Sequence, residues 1–237
     1  MIKIKRTQPE PPELAKARYS DNYNIPAVRE QLRKDFHNKC YLCGTPTVDG
    51  FEIEHLLPHH GGEDKARKSD WDNLFMSCSN CNGIKKDHYD DQLIDCCRED
   101  PEKLICHRID RGRITVSARK TAPDQLRAEK TAELIEKCFN YSKDSQSAEN
   151  CTQKRRELKL RAIDLCKKLR RYRELRDRTE DRDEPALAEA ENDVLDLIDI
   201  TSEYAGFLRT IVRDRLVMFP EFEEVVGADP EKGVHKE

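Results

Sequence analysis

The most informative part of the chain is residues 40–86, which read CYLCGTPTVDGFEIEHLLPHHGGEDKARKSDWDNLFMSCSNCNGIKK. It contains two Cys-x-x-Cys pairs, Cys40 with Cys43 and Cys78 with Cys81, separated by 34 residues. Each pair can present two thiolates to one ion, and four sulfur ligands with no spare histidine or carboxylate are typical of a closed, tetrahedral, structural zinc site. The sequence therefore predicts one structural Zn²⁺ held by these four cysteines.

Two other interpretations of the four cysteines stay open, namely buried free thiols and a redox-active Cys-x-x-Cys. Two pairs on either side of one segment favour zinc over both. A module of about 50 residues buries little surface, so the ion would contribute folding free energy directly. Six further cysteines lack metal spacing and are expected to be ordinary thiols: Cys96, Cys97, Cys106, Cys138, Cys151 and Cys166.

The expected compartment agrees with this interpretation of the cysteines. The first six residues, Met-Ile-Lys-Ile-Lys-Arg, lack the apolar core of a signal peptide, and no run of about 18 apolar residues predicts a membrane span. We therefore expect a cytoplasmic protein. Disulfides do not persist in a reducing compartment, which leaves thiols or metal ligands.

Secondary-structure signals around the two cysteine pairs predict a strand, loop, strand, helix unit. Residues 51–58 and 73–78 have the composition of short strands, and a polar loop that begins at Gly61-Gly62 separates them. Residues 79–89 suit a short helix. Before this unit, residues 7–25 indicate an extended arm on the surface, and a helix should run from Pro26 to about Asn38.

Beyond residue 90 the pattern is mostly helical. We predict a hairpin from residues 104–109 and 114–117 around the turn Arg111-Gly112, then a helix over 124–139. Apolar residues at helical spacing over 158–172 and 187–211, with a charged break at 177–186, predict an antiparallel helical pair. The expected fold class is α+β, divided into an N-terminal arm and helix (1–36), a zinc-stapled core (37–90) and a mostly helical accessory region (91–237).

Several ordered motifs give residues 37–88 a specific resemblance. Cys-x-x-Cys, Glu54-His55-x-x-Pro58, Asn73-Leu74 and Cys-x-x-Cys-Asn82-x-x-Lys85 together resemble the HNH endonucleases. The resemblance implies a ββα-metal fold and metal-dependent hydrolysis of phosphodiester bonds, with DNA as the favoured substrate. It implies that Glu54 is a ligand of the catalytic ion and that His55 is the general base.

Simple chemistry supports different roles for Glu54 and His55, because successive strand residues point to opposite faces. An unperturbed imidazole titrates near pH 6.5, so a neutral His55 could take a proton from water at cytosolic pH. A divalent ion held by hard oxygen ligands would stabilise the charge that develops on the scissile phosphate.

The resemblance also assigns roles to two asparagines. Asn73 would position the histidine and its loop, and Asn82 would give the second contact to the catalytic ion. The founding pattern has histidine where this chain has Asn82, and related members carry the same substitution. Losing an imidazole should shift the metal preference toward Mg²⁺ or Mn²⁺.

Candidate nucleic-acid contacts lie around the same segment. Lys85 and Lys86 fall on the predicted metal-site helix, and His59 with His60 falls on the loop, as do Lys65, Arg67 and Lys68. Each could contact phosphate. Solvated surface side chains are the alternative for all of them.

The net charge of −4 and the pI near 6.0 are unusual for a protein that binds nucleic acid unaided. Residues 153–182 hold thirteen Lys/Arg against six Asp/Glu, whereas residues 183–203 hold eight acidic residues and no Lys or Arg. The basic helix could follow a nucleic-acid backbone, or the acidic helix beside it could neutralise it.

The whole layout resembles the nuclease subunit of Septu-type and retron-associated anti-phage defence systems. The residues that carry this resemblance are Ile4-x-Arg6, Glu10-Pro-Pro, Arg98-Glu-Asp-Pro-Glu and Phe207-Leu-Arg. It implies a partner ATPase in a hetero-complex. Two alternatives remain: a catalytically inactive zinc module that binds nucleic acid or scaffolds a partner, and a homing or restriction nuclease with its own sequence-reading element.

Overall fold

The structure is a computed structural model of the 237-residue chain that describes residues 1–17, 22–47, 50–89, 92–110, 113–178 and 183–231. Helices and strands are mixed, with helices in the majority and the strands confined to two small antiparallel sheets. None of the described helices combines the length and the apolar character that a membrane crossing requires.

The first half of the chain contains a ββα unit preceded by two helices. Strands β1 and β2 pair antiparallel with Glu54 opposite Phe75 and His55 opposite Leu74. Short 3-10 turns occupy His60–Gly62 and Trp71–Asn73 in the connecting loop. The elements are α1 (Pro12–Ala17), α2 (Pro26–Asp35), β1 (Glu52–His55), α3 (Lys65–Lys68), β2 (Leu74–Ser77) and α4 (Ser79–Lys85).

The second half is a hairpin followed by helices. Strands β3 and β4 pair antiparallel, and the predicted turn Arg111-Gly112 lies outside the described residues. Helix α7 is by far the longest element, with 32 residues. The elements are α5 (Pro101–Leu104), β3 (Ile105–Asp110), β4 (Arg113–Ala118), α6 (Gln125–Asn140), α7 (Ser145–Arg176), α8 (Glu184–Ile198), α9 (Ala205–Arg213) and α10 (Glu223–Val226).

The N-terminal segment differs from the predicted surface arm. Ile2, Ile4 and Leu14 are buried, and α1 forms where an extended chain was expected over residues 7–25. The guanidinium of Arg6 lies 4.8 Å from the ring centroid of Trp71 and donates a hydrogen bond to the Trp71 carbonyl. This segment therefore packs against the chain that leads into β2.

The helical rhythm predicted over 187–211 is interrupted, because α8 ends at Ile198 and α9 begins at Ala205. The Asp199 carboxylate accepts hydrogen bonds from the backbone and hydroxyl of Thr201. Lys39 Nζ, itself buried, donates to the carbonyls of Ile200 and Ser202. Because these two carbonyls accept hydrogen bonds from a distant side chain, the segment between Ile198 and Ala205 is not helical, and two helices form where one was expected.

One hydrophobic core crosses the boundary that the sequence predicted near residue 90. It joins Leu32 and Phe75 of the first half to Phe139, Leu158 and Phe207 of the second. A smaller core lies among α7, α8, α9 and α10. Segments 37–90 and 91–237 therefore share the larger core, while the buried residues of the smaller core all lie after residue 164.

Candidate functional site

The four cysteines of the two pairs meet at one point. Their Sγ atoms all lie within 4.8 Å of one another, and those of Cys43 and Cys78 are 3.9 Å apart. Four sulfurs at about 2.3 Å around a tetrahedral ion are separated by about 3.8 Å, so the donor set fits zinc. Cys78 also caps α4, and its sulfur accepts a hydrogen bond from the backbone of Cys81.

Polar groups surround these sulfurs. Oγ of Ser77 lies 3.7 Å from Sγ of Cys40, and Oγ1 of Thr45 lies 3.1 Å from Sγ of Cys43. The Lys154 ammonium, which arrives from α7, lies 3.4 Å from Sγ of Cys81. The Lys154 ammonium and the Cys81 backbone N–H donate to ligand sulfurs, and such donors favour the thiolate form that binds a metal.

The carboxylate of Glu54 is buried, and both of its oxygens have partners. One oxygen accepts a hydrogen bond of 2.7 Å from the Tyr41 hydroxyl, and the other lies 2.6 Å from Nζ of Lys85. Burial raises the pKa of Glu54 above its usual value, while the Lys85 ammonium opposes that shift. Lys85 Nζ also donates to the His55 carbonyl at 2.8 Å.

This cluster changes the expected roles of two residues. Lys85 is 1% exposed and paired with a carboxylate, so it does not face a nucleic acid as the sequence predicted. Both oxygens of Glu54 already have a partner, a buried ammonium and a phenol, so a divalent ion would have to share an oxygen with one of them or displace it. Lys85 thereby anchors the end of β1 through both the Glu54 carboxylate and the His55 carbonyl.

Removing the carboxylate while keeping the shape of the side chain tests the Glu54 and Lys85 pair. We expect Glu54→Gln to lower the free energy of unfolding by about 3–5 kcal/mol, since it leaves a buried ammonium without its anion. Urea denaturation measures the loss. Adding Lys85→Met to that variant should recover part of it. A variant as stable as the parent, whose cleavage is restored by excess Mg²⁺, would instead make Glu54 a metal ligand.

The imidazole of His55 is held at the end of β1. Its Nε2 lies 3.0 Å from the carbonyl of Lys68, which can only accept a hydrogen bond, so Nε2 carries the proton. The described residues offer Nδ1 no hydrogen-bond partner. Burial lowers the pKa of His55 to about 4. The ring is therefore neutral at physiological pH, with a basic lone pair on Nδ1.

Asn73 fixes the loop that follows His55. Its Oδ1 accepts from the backbone of Leu57 at 2.7 Å, and its Nδ2 donates to the carbonyls of Leu57 and Arg67, each at 2.9 Å. One amide thus ties the start of the loop to α3. The same α3 presents the Lys68 carbonyl to His55.

The remaining predicted residues lie around this centre. The rings of His59 and His55 meet edge to face at 4.4 Å, and Nδ1 of His59 is buried with no partner among the described residues. Asn82 is half-buried on α4, and its side-chain amide has no hydrogen bond within the described chain. Lys86, directly after α4, is exposed. His60 and Lys65 are exposed, Arg67 pairs with Asp64, and Lys68 is half-buried.

Sequence reasoning missed Tyr41 and Lys154. Tyr41 carries no signal, since nothing in Cys-x-x-Cys constrains the residue after the first cysteine. Lys154 does carry a sequence signal. Cys151, Lys154 and Leu158 continue the buried face of α7 toward its N-terminus with steps of 3 and 4 residues. A lysine on an apolar stripe is a candidate for a buried charge with a partner.

Comparison with protein families agrees with this geometry. The family model described as HNH endonuclease matches residues 40–88, the stretch that holds the cysteine cluster, β1, β2 and α4. Comparisons with curated proteins and with solved structures gave no significant match. Residues 40–88 of this chain are therefore similar to the HNH endonuclease family.

Proposed function

We propose that the protein is an endonuclease that hydrolyses phosphodiester bonds of nucleic acid, with DNA as the favoured substrate. The observation that supports this most directly is the state of His55 within the HNH domain. Its imidazole is neutral, oriented through Nε2 by the Lys68 carbonyl, and has a lone pair on Nδ1. A neutral imidazole fixed in this orientation can take a proton from a water molecule.

The proposed reaction follows from that tautomer. Nδ1 of His55 takes a proton from a water molecule, whose oxygen attacks phosphorus as the bond to the leaving oxygen breaks. The Lys68 carbonyl stabilises the imidazolium that forms, because Nε2 already donates to it. HNH nucleases use divalent metals, and such an ion, Mg²⁺ or Mn²⁺, would supply charge stabilisation at the phosphate. The sequence predicts Asn82 as a ligand of this ion, and its side-chain amide has no hydrogen bond among the described residues.

Nucleic-acid contacts are proposed at His59 and Lys86. His59 is half-buried, and its ring lies against that of His55 with the centroids 4.4 Å apart, which places it beside the proposed base. Lys86 lines a cleft of about 1180 Å³ between α4 and the surface formed by β4 and α6. Within the described chain, Lys86, Lys120 and Lys143 line this cleft without an ion pair, which leaves their charge available to phosphate.

A cleavage assay tests the function. Purified protein is incubated with supercoiled plasmid DNA and, separately, with structured RNA, in Mg²⁺, in Mn²⁺ and in EDTA. We expect plasmid nicking or linearisation that depends on the metal and is lost in His55→Ala. If zinc-loaded, folded protein binds nucleic acid but cleaves neither substrate under any condition, an inactive binding module is the better account.

We also propose that the nuclease works with a partner, as the resemblance to defence-system nucleases implies an ATPase. Helix α7 supports a docking role because Leu160 and Ile163 are 57% and 52% exposed there, one turn apart, with Arg156 and Lys167 on either side. Co-purification with an ATPase encoded beside the gene, repeated with Leu160→Ser/Ile163→Ser, tests the complex. Unchanged cleavage without that ATPase, and no co-purification with it, would leave a stand-alone nuclease.

A further inference from the structure

Lys154 is a buried cation at the zinc centre. It is 5% exposed and reaches from the first third of α7 to the segment between Cys78 and Cys81. Its Nζ donates to Oδ1 of Asn80 at 2.7 Å, to Sγ of Cys81 at 3.4 Å and to the carbonyl of Cys138 at 3.5 Å. Lys154 lies well outside the residues that match the HNH family.

The charge of the centre explains why a cation belongs there. Four thiolates around one Zn²⁺ carry a net charge of −2, and three of the four cysteines are buried. A net charge in a low-dielectric interior is strongly unfavourable unless an opposite charge lies close to it. Among the described residues, Lys154 is the ammonium in hydrogen-bond contact with one of the ligand sulfurs.

The neutral partners of Lys154 do not account for its position. Asn80 Oδ1 and the Cys138 carbonyl can satisfy two of the three ammonium hydrogens, but neither offsets a buried full charge. Without an anion nearby, burying this ammonium would destabilise the fold. The thiolate centre supplies that anion.

We propose that Lys154 is the counter-charge of the zinc tetrathiolate, so that α7 completes the zinc site from outside the nuclease domain. Lys154 acts as a positioning residue through the ligand sulfur and not on substrate. The proposal depends on the zinc site and is independent of whether the protein cleaves nucleic acid. It makes the region after residue 90 part of the metal centre.

Zinc competition with a chelator tests the proposal on the full-length, zinc-loaded protein. Lys154→Met removes the charge and keeps much of the side-chain volume. We expect the chelator concentration that removes half of the zinc to fall by about 10–100-fold, the range typical of residues that support metal ligands. Lys168→Met is the matched control, since it removes a lysine of the same helix that pairs with Asp193. It should leave zinc retention unchanged.

Cobalt spectroscopy separates charge from packing. Co²⁺ loaded in place of zinc reports on the ligand sulfurs through its sulfur-to-metal charge-transfer band. Loss of the Lys154 ammonium makes the thiolates richer in electrons, so this band should move to longer wavelength in Lys154→Met. Asn80→Ala removes only the neutral side-chain oxygen that accepts a hydrogen bond of 2.7 Å from Lys154. It should leave the position of the band unchanged.

Each outcome decides the proposal. Unchanged zinc retention and an unchanged cobalt band in Lys154→Met overturn it, as does an equal effect from Asn80→Ala. If Lys154→Met does not fold, Lys154→Arg decides, because arginine keeps the charge. A folded arginine variant that retains zinc then supports the proposal, and one that fails to fold or loses zinc like the methionine variant shows that the shape of the side chain matters and not its charge.

Discussion

His55→Ala is expected to lower cleavage by about 100- to 10,000-fold, the contribution typical of a positioned general base. The reason is that Nδ1 of His55 is the proposed proton acceptor, held in place by the bond from Nε2 to the Lys68 carbonyl. Single-turnover cleavage of plasmid DNA measures the loss. The variant should keep its zinc, because the cysteine cluster does not include His55.

A stability control is needed for this variant because His55 is 8% exposed. Truncation removes the hydrogen bond from Nε2 to the Lys68 carbonyl, which costs about 0.5–1.5 kcal/mol. His55→Gln restores a donor near that carbonyl without a comparable base. We expect it to recover stability and to remain inactive. Cleavage by the folded glutamine or alanine variant at the parental rate would remove His55 from the mechanism.

Cys78→Ser is expected to unfold the nuclease domain as well as abolish cleavage. Cys78 supplies one of the four candidate ligand sulfurs and also caps α4. Its loss therefore lowers the affinity for the ion and the stability of the helix that carries Asn82. Structural zinc contributes about 10–16 kcal/mol to the folding of small zinc modules, which exceeds the stability of most domains. Metal analysis measures the zinc content, and thermal unfolding monitored by circular dichroism measures the loss of stability.

The matched control is Cys166→Ser, because Cys166 is exposed on α7 and lies outside the cysteine cluster. It should keep one zinc per chain and unfold at the parental temperature. A Cys78→Ser protein that is folded, and a parent protein that holds no zinc, would show that the four cysteines are buried free thiols.

Local signals predicted most elements of the chain. The strands around His55 and Asn73, the helix after Cys78 and the hairpin after Leu104 all occur within a few residues of the expected bounds. These predictions rest on periodicity and on turn residues, which depend on near neighbours in the sequence. The exceptions are segments whose backbone groups have distant partners. Lys39 binds the carbonyls of Ile200 and Ser202, and Arg6 binds that of Trp71.

Some features of the candidate site were likewise predicted from local sequence, and others are seen only in the structure. Spacing alone indicated the four cysteines, because a metal ion demands a fixed number of ligands at short range. The motif around His55 indicated a base and an acidic neighbour, but it did not show that Lys85 and Tyr41 occupy the carboxylate of Glu54. That pairing depends on how α4 packs against β1, which no local pattern specifies.

The sequence by itself indicated the similarity of residues 40–88 to HNH endonucleases, the four clustered cysteines and the candidate base, because each depends on residue types at short spacing. Only the tertiary structure decided the state of those groups. Burial lowers the pKa of His55, Lys85 pairs with Glu54, and Lys154 brings a positive charge to the clustered cysteines from more than 70 residues away in sequence. Burial and charge pairing are set by three-dimensional packing. The sequence alone does not distinguish a lysine on an exposed surface from one buried beside a thiolate.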